Sequence, residues 1–324
     1  MLIDNYNRTI NYLRISITDR CNLRCRYCVD KDLPFIPHEE ILRYEEIIRF
    51  VRIAASLGVR KIRLTGGEPL RRKGVDFLIR EINSIPNIDD IGLTTNGVDL
   101  DTKINILKQS GLKRVNISLD SLSKERFNYI TGVDAYDQVL HGIHRAREAG
   151  LTPVKINTVI IKGFNDDEVL DFVSFAAELG IQIRFIEFMP FGEEDLWDSS
   201  KIISSAELEA IVRKRYELEE EHNTEKGPAR LFRINGTDGH VGFISPMSSH
   251  ICGHCNRLRL TSDGAIKPCL FSDKEYDVKR LLRGNASDEE IGQFIRDAVE
   301  AKPEKKFDSG NIRKCQRSMR STGG

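Results

Sequence analysis

The 324-residue chain has no apolar run approaching the roughly 20 residues that cross a bilayer, so a helical membrane protein is excluded. Nor is there an excess of either charge: 49 Lys+Arg stand against 49 Asp+Glu. That balance suits no general binder of polyanions and leaves room only for local basic clusters. Aromatic residues make up only 7%, with a single Trp, too few for the stacking platforms of a nucleic-acid binder. Residues Met1–Arg14 hold no apolar stretch ahead of a small-residue cleavage site, so no secretory leader is expected and the expected location is the cytoplasm. Low-complexity segments and short-period repeats are missing too. What is present, 40% apolar and 30% charged residues, builds a sizeable core beneath a hydrated surface. The length fits two domains, or one barrel with an appendage.

Seven cysteines carry most of the information. Cys21, Cys25 and Cys28 form one group; Cys252, Cys255 and Cys269 form another; Cys315 stands alone. An odd total in a large, unsecreted chain does not read as a disulfide framework, and close thiols in a reducing compartment more often bind metal.

Between Leu13 and Met189 one theme recurs: β-branched runs ending in small or polar residues, each followed by an amphipathic helical stretch. Strands are expected at Leu13–Thr18, Lys61–Thr65, Asp90–Thr94, Arg114–Leu119, Val154–Ile160 and Ile183–Phe188. Helices are expected at Ile41–Leu57, Val75–Asn83, Thr102–Ser110, Tyr136–Ala149 and Asp167–Leu179. Gly58, Gly111, Gly150 and Gly180 follow four of these helices, where a left-handed cap suits glycine. Helix-separated strands favour parallel pairing, and six such units fit an open doubly wound sheet or an incomplete barrel equally. Past Met189 the pattern shifts to short strands, at Arg230–Ile234, His240–Ser245, Arg257–Thr261 and Ala265–Leu270. Two closing helices follow, at Asp277–Arg283 and Asp288–Glu300. The division expected is 1–190, 191–305 and a basic, polar, mobile tail over 306–324.

The first cysteine group has the spacing C-x3-C-x2-C and lies directly after the first strand, in a βα loop where α/β proteins build their sites. Three thiolates can hold three irons of a [4Fe–4S] cube and leave the fourth open for a ligand, whereas electron-transfer ferredoxins cap all four. The alternative, zinc, wants four ligands. With Tyr27 before the last cysteine, and Thr65-Gly66-Gly67-Glu68-Pro69 closing the next strand, the chain resembles the radical S-adenosylmethionine (SAM) enzymes. That resemblance implies an incomplete (β/α)6 barrel, with SAM chelated to the open iron and cleaved reductively to a 5′-deoxyadenosyl radical.

The second group, C-x2-C-x13-C, leaves a zinc knuckle completed by His254 open as an alternative. Against zinc, His254 would have to double back between two cysteines. Arg257 and Arg259 follow at strand period, two guanidiniums on one face beside a metal site, which suits a phosphate or carboxylate; a solvated strand face is the other account. The two groups together, with Asn11–Ser16, Gly92–Gly97, Asn116–Asp120 and Arg184–Met189, resemble the branch of radical SAM enzymes that opens molybdenum cofactor biosynthesis by cyclising GTP. The resemblance runs from about Leu13 to Gly323-Gly324.

That resemblance implies an α/β barrel with a C-terminal α+β extension carrying a second [4Fe–4S] cluster, three cysteines to each cluster. Cys21, Cys25 and Cys28 would hold the SAM cluster; Cys252, Cys255 and Cys269 the other, whose open iron would meet the guanine. Tyr27, Gly67, Ser118 and Met189 match SAM-contacting positions; Arg14, Arg63, Thr94, Lys155, Arg257 and Arg259 match GTP-contacting ones. Gly323 and Gly324 would reach the active site and assist catalysis, although Thr322 stands where that branch often has an apolar residue. The radical would take hydrogen from ribose C3′, and the resulting carbon radical would attack C8 of guanine. An external low-potential electron donor and a downstream enzyme taking the cyclised nucleotide are the implied partners, with no nucleic acid or membrane; a homodimer is compatible with the sequence. Two other functions compete: a peptide-modifying radical SAM maturase, which would usually carry more C-terminal cysteines, and a zinc-stabilised nucleic-acid binder.

Overall fold

A computed structural model describes residues 1–28, 34–191, 197–221, 227–249, 251–306 and 317–322. Six strands, β1 (Tyr12–Ser16), β2 (Lys61–Thr65), β3 (Asp90–Thr95), β4 (Arg114–Ser118), β5 (Lys155–Ile160) and β6 (Gln182–Glu187), lie parallel and in chain order. Each falls within a residue or two of its expected place, as do the helices between them except the first, which begins at Tyr44 rather than Ile41.

The remaining strands do not form a separate sheet. β7 (Leu218–Glu221), β8 (Ala229–Ile234), β9 (His240–Ile244), β10 (Arg257–Leu260), β11 (Ala265–Lys267) and β12 (Tyr276–Asp277) extend the first six at both edges. β10 pairs parallel with β1 and carries antiparallel β11 and β12; β9 pairs parallel with β6 and carries antiparallel β8 and β7. The result is one twelve-stranded, open, parallel-rich sheet.

Parallel strands buried on both faces normally read as continuous apolar runs. These alternate instead. One face, with Ile15, Ile62, Leu93, Ile117, Ile156 and Phe185, is apolar and buried in the main core. The in-register residues between them, Arg14, Arg63, Thr94, Asn116, Lys155 and Arg184, project to the other face. A polar face enclosed within a protein is a lining, not a core, and that alternation positions the site.

Strands β7 and β12 were not expected, and two further departures matter more. Lys124–Thr131 is a helix capped by Ser123, whose side chain accepts from Arg126 N, and closed by left-handed Gly132 (φ 70°); its weak amphipathicity hides it. The tail also departs from the expected mobility. Residues 317–322 are docked: Arg317 pairs with Asp263 (2.8 Å) and Glu275 (2.5 Å), and Arg320, Ser321 and Thr322 of a one-turn helix are buried. A basic segment reads as solvated until its acidic partners, 42 and 54 residues away, are known. Among the described residues no helix is long and apolar enough to cross a membrane.

Candidate active site

The carboxyl ends of the first six strands surround a cavity of about 200 Å³. Cys21, Cys25, Tyr27 and Cys28 reach it from the loop after β1, and Gly66 and Gly67 from the turn after β2. Thr94, Ser118 and Met189 line it too, from β3, β4 and the segment after β6. Met319 of the docked tail closes part of the wall. Gly323, Gly324 and Cys315 lie outside the described residues.

The two glycines are needed for a backbone reason. Gly67 N donates to Thr18 O (2.7 Å) and Glu68 N to Arg20 O (2.8 Å), so this turn packs main chain to main chain against the root of the cysteine loop. A β-carbon on Gly66 would collide with Thr18 O, and one on Gly67 with Arg20 O. Glu68 then anchors the assembly from behind. Its carboxylate accepts from Leu70 N, Thr95 Oγ1 and Asn96 N, while Asn96 Nδ2 reaches Cys21 Sγ at 3.7 Å. Burial outweighs those donors and pushes Glu68 up to about 7. Burial likewise raises Asp120 to about 6, although Tyr27 Oη donates to it at 2.6 Å and Val159 N at 2.9 Å.

All three thiols are raised by burial, Cys28 to about 12; neighbouring cysteines add to this for Cys25 and Cys28, and Glu68 for Cys21. Such thiolates need a positive partner. Among the described residues, no three His, Cys, Asp or Glu side chains converge closely enough to hold a single metal ion. A cubane cluster asks for something different, because each thiolate binds its own iron. Three soft donors on one loop, facing a cavity to which no fourth Cys or His is contributed among the described residues, fit a cluster with an open coordination position better than mononuclear zinc.

Deeper along the same face the lining becomes cationic. Arg259, Arg14 and Arg63 stand abreast on β10, β1 and β2. Lys155 is level with Thr94 through Asn116, and Arg184 lies opposite Asn157. Arg63, only 3% exposed, lies flat across Gly92, where a β-carbon would come within 2.5 Å of the guanidinium carbon. It donates to Leu93 O (3.0 Å), Asn116 Oδ1 (3.1 Å) and Tyr12 Oη (3.1 Å).

These cations crowd one another. Burial, then Arg184, Arg114 and Arg63, hold Lys155 down to about 6. Burial and Arg63 bring Arg184 to about 9; burial with Arg14 and Arg257 does the same to Arg259. Burial would raise Tyr12, yet Arg63 and Arg14 outweigh it and lower the phenol to about 7. Buried Arg259 Nε, Thr94 Oγ1 and Asn157 Oδ1 have no hydrogen-bond partner among the described residues. A buried lining short of negative charge, with hydrogen-bonding valences left open, is built for a polyanion.

The second cysteine group lies at the opposite end of this lining. Cys252 and Cys255 precede β10, whose first residue Arg257 is level with Tyr12 at the start of β1. Antiparallel β11 returns to that end and delivers Cys269. Burial would raise the Cys255 thiol, but Arg257 and Lys302 outweigh it and bring it to about 6. Lys306 faces both Cys252 and Cys269.

The structure therefore gathers Tyr27, Gly67, Thr94, Ser118 and Met189 with the first cysteines around one cavity. It sets Arg14, Arg63, Lys155, Arg257 and Arg259 between the two groups. Tyr12, Asn96, Asp120, Asn157 and Arg184 were given no role from the sequence. A signal existed for two: Asn157 and Arg184 each stand two residues from a flagged or lining position on the same face of a strand, and Asp120 follows two residues after Ser118, just past the end of β4.

A Radical SAM superfamily model matches residues 15–176, and a Molybdenum Cofactor Synthesis C model matches residues 181–307. Over 93% of its length the chain is 51% identical to the GTP 3′,8-cyclase of Thermodesulfovibrio yellowstonii, covering 94% of that protein. It is 46% identical to the GTP 3′,8-cyclase of Syntrophomonas wolfei over the whole of both chains. Among solved structures, Streptococcus suis SuiB bound to S-adenosylmethionine shares the fold, with a TM-score of 0.61 at 18% identity, over 89% of this chain and 68% of that one. The chain belongs to the radical SAM superfamily and, within it, to the family of the GTP 3′,8-cyclases.

Proposed function

We propose that this protein converts GTP to (8S)-3′,8-cyclo-7,8-dihydroguanosine 5′-triphosphate, the first step of molybdenum cofactor biosynthesis. One observation carries the reading: the strand face that lines the cysteine cavity at Thr94 and Asn157 also bears, in register, a row of buried cations on the side of a second cysteine group. Cys21, Cys25 and Cys28 would hold a [4Fe–4S] cluster, and Cys252, Cys255 and Cys269 a second. When bound, the first cluster and SAM supply the reductive cleavage that starts the radical chemistry.

The chain's own residues bind, orient and exclude water. The Gly66-Gly67 backbone leaves room for the methionyl end of SAM; Tyr27, Ser118 and Met189 border the space left for the rest. Arg14, Arg63, Lys155, Arg257 and Arg259, with Arg184, neutralise the triphosphate, and Thr94 lies where the two ligands meet. Holding the ribose between the ends of the lining is the main contribution, because a radical unprotected from solvent is lost to side reactions. Gly323 and Gly324 would assist catalysis. An external low-potential electron donor, a cytoplasmic location and a downstream enzyme taking the product belong to the same proposal.

Anaerobic reconstitution tests it. Iron and sulfide analysis should give about eight irons per chain for two cubes, and reduced protein with SAM and GTP should yield the cyclised nucleotide by mass spectrometry. About four irons with full cyclisation would remove the second cluster; two clusters without cyclisation would remove the reaction.

A further inference from the structure

Every carbonyl group around the second cysteine group that faces inward must find a donor, and two buried cations far away in sequence supply them. Lys302, 3% exposed, follows the helix Asp288–Glu300. Its Nζ donates to Arg257 O (2.9 Å) and to Pro268 O (2.6 Å). Arg257 lies two residues after Cys255, and Pro268 immediately precedes Cys269. Arg8, 6% exposed, is oriented by Asp4 (2.5 Å) and donates to Cys252 O (2.8 Å), Pro303 O (2.7 Å) and Glu304 O (3.0 Å). Each of the three cysteines thus has a main-chain oxygen, its own or one within two residues, gripped by a buried cation. The two grips meet at Lys302-Pro303-Glu304.

Surface cations would serve as well if solubility were the need. Burying an ammonium is costly unless charge and hydrogen bonds compensate it. Here two carbonyls supply the hydrogen bonds, and Cys255 and Cys269 are the anionic groups its charge faces. Burial, with Arg257 and Arg259 nearby, holds the Lys302 ammonium below its ordinary range, and the two cysteine sulfurs offset only part of that cost, so the two carbonyl contacts are what fix its position. Hydrogen bonds and net charge around a cluster set its reduction potential, and groups behind the ligands hold ligand geometry.

We propose that Lys302, with Arg8 beside it, is a positioning residue for the second cysteine group, which fixes the three ligand segments and shifts the potential of the group they hold to more positive values. This rests on the second cysteines carrying an iron–sulfur cluster.

The experiment compares wild type with Lys302→Gln, Lys302→Met and Lys302→Arg, reconstituted anaerobically. Wild-type iron content tests the cluster itself: about four irons per chain, rather than about eight, would defeat that reading before any variant is considered. Given two clusters, redox titration followed by electron paramagnetic resonance should show one signal of Lys302→Gln moved to more negative potential, with the other unmoved. Lys302→Met should shift further or lose about half of its iron while keeping uncoupled SAM cleavage, and Lys302→Arg should restore the wild-type potential. Should Lys302→Met fail to fold, Lys302→Gln decides. Two intact clusters with wild-type potentials in Lys302→Gln would overturn the proposal.

Discussion

The two cysteine groups face different electrostatic surroundings. Around Cys21, Cys25 and Cys28 the buried carboxyls Glu68 and Asp120 stand on one side and Arg24 and Arg320 on the other, and burial outweighs both cations and raises the thiols. Around Cys252, Cys255 and Cys269 the neighbours are Arg257, Lys302 and Lys306, and Cys255 is brought down toward the thiolate. The contrast matches the ligands proposed for each end. SAM brings a cationic sulfonium, which an arginine-rich pocket would repel; GTP brings close to four negative charges, which a carboxyl-backed pocket would repel.

The most severe way to break that division is to remove a cysteine from each side in turn. Cys25→Ala should abolish SAM cleavage outright, while Cys255→Ala should retain part of the uncoupled cleavage and lose cyclisation. Chromatography of 5′-deoxyadenosine and of the cyclised nucleotide reads both. Normal cyclisation by Cys255→Ala would end the functional role of the second group.

A smaller effect separates two arginines that look equivalent in the sequence. Arg257 hydrogen-bonds the Cys255 sulfur, so its loss should disturb cluster and substrate together. Arg259 has an open Nε and no such tie. A charge-assisted bond to phosphate is worth about 1.5–3 kcal/mol, so Arg259→Ala should weaken GTP binding roughly 10- to 100-fold, with iron content and melting temperature unchanged. Calorimetry showing unchanged affinity would remove Arg259 from the site.

The mildest test is pH. Lys155, held down to about 6 in the free protein, is neutral above that pH and must take up a proton when a polyanion raises its pKa again. Uptake on binding means that affinity falls as pH rises, by up to about tenfold per pH unit for one proton. Titrations above about pH 6.5, in buffers of different ionisation enthalpy, should show this slope, and Lys155→Met should flatten it. An equal slope in both proteins would place the proton elsewhere.

Local chemistry made much of this legible. Strand and helix positions followed from periodicity, and Cys21–Cys28 with Gly66–Pro69 announced the cavity because those residues act within their own loops. The alternation in Arg14–Ser16, Arg63–Thr65 and Lys155–Asn157 is present in the sequence too, but it shows a lined interior only once the strands are paired. Pairings that span the chain were not legible. Nothing near β10 names β1 as its neighbour, and nothing near Lys302 hints at the carbonyls of Arg257 and Pro268. The tail misled for the same reason, since Arg317 is only a surface charge until Asp263 and Glu275 are placed beside it.

The pairing of β1 with β10 also bears on how the molecule is made. The ribosome releases Tyr12–Ser16 some 240 residues before Arg257–Leu260, the strand that covers its free edge. Over most of its synthesis the nascent sheet therefore carries a parallel strand that is paired with β2 on one side and open on the other. Such an edge invites wrong partners, and closing so long a loop is slow. Growth temperature and chaperone supply should accordingly govern the yield of intact protein more strongly than any single contact in the finished fold.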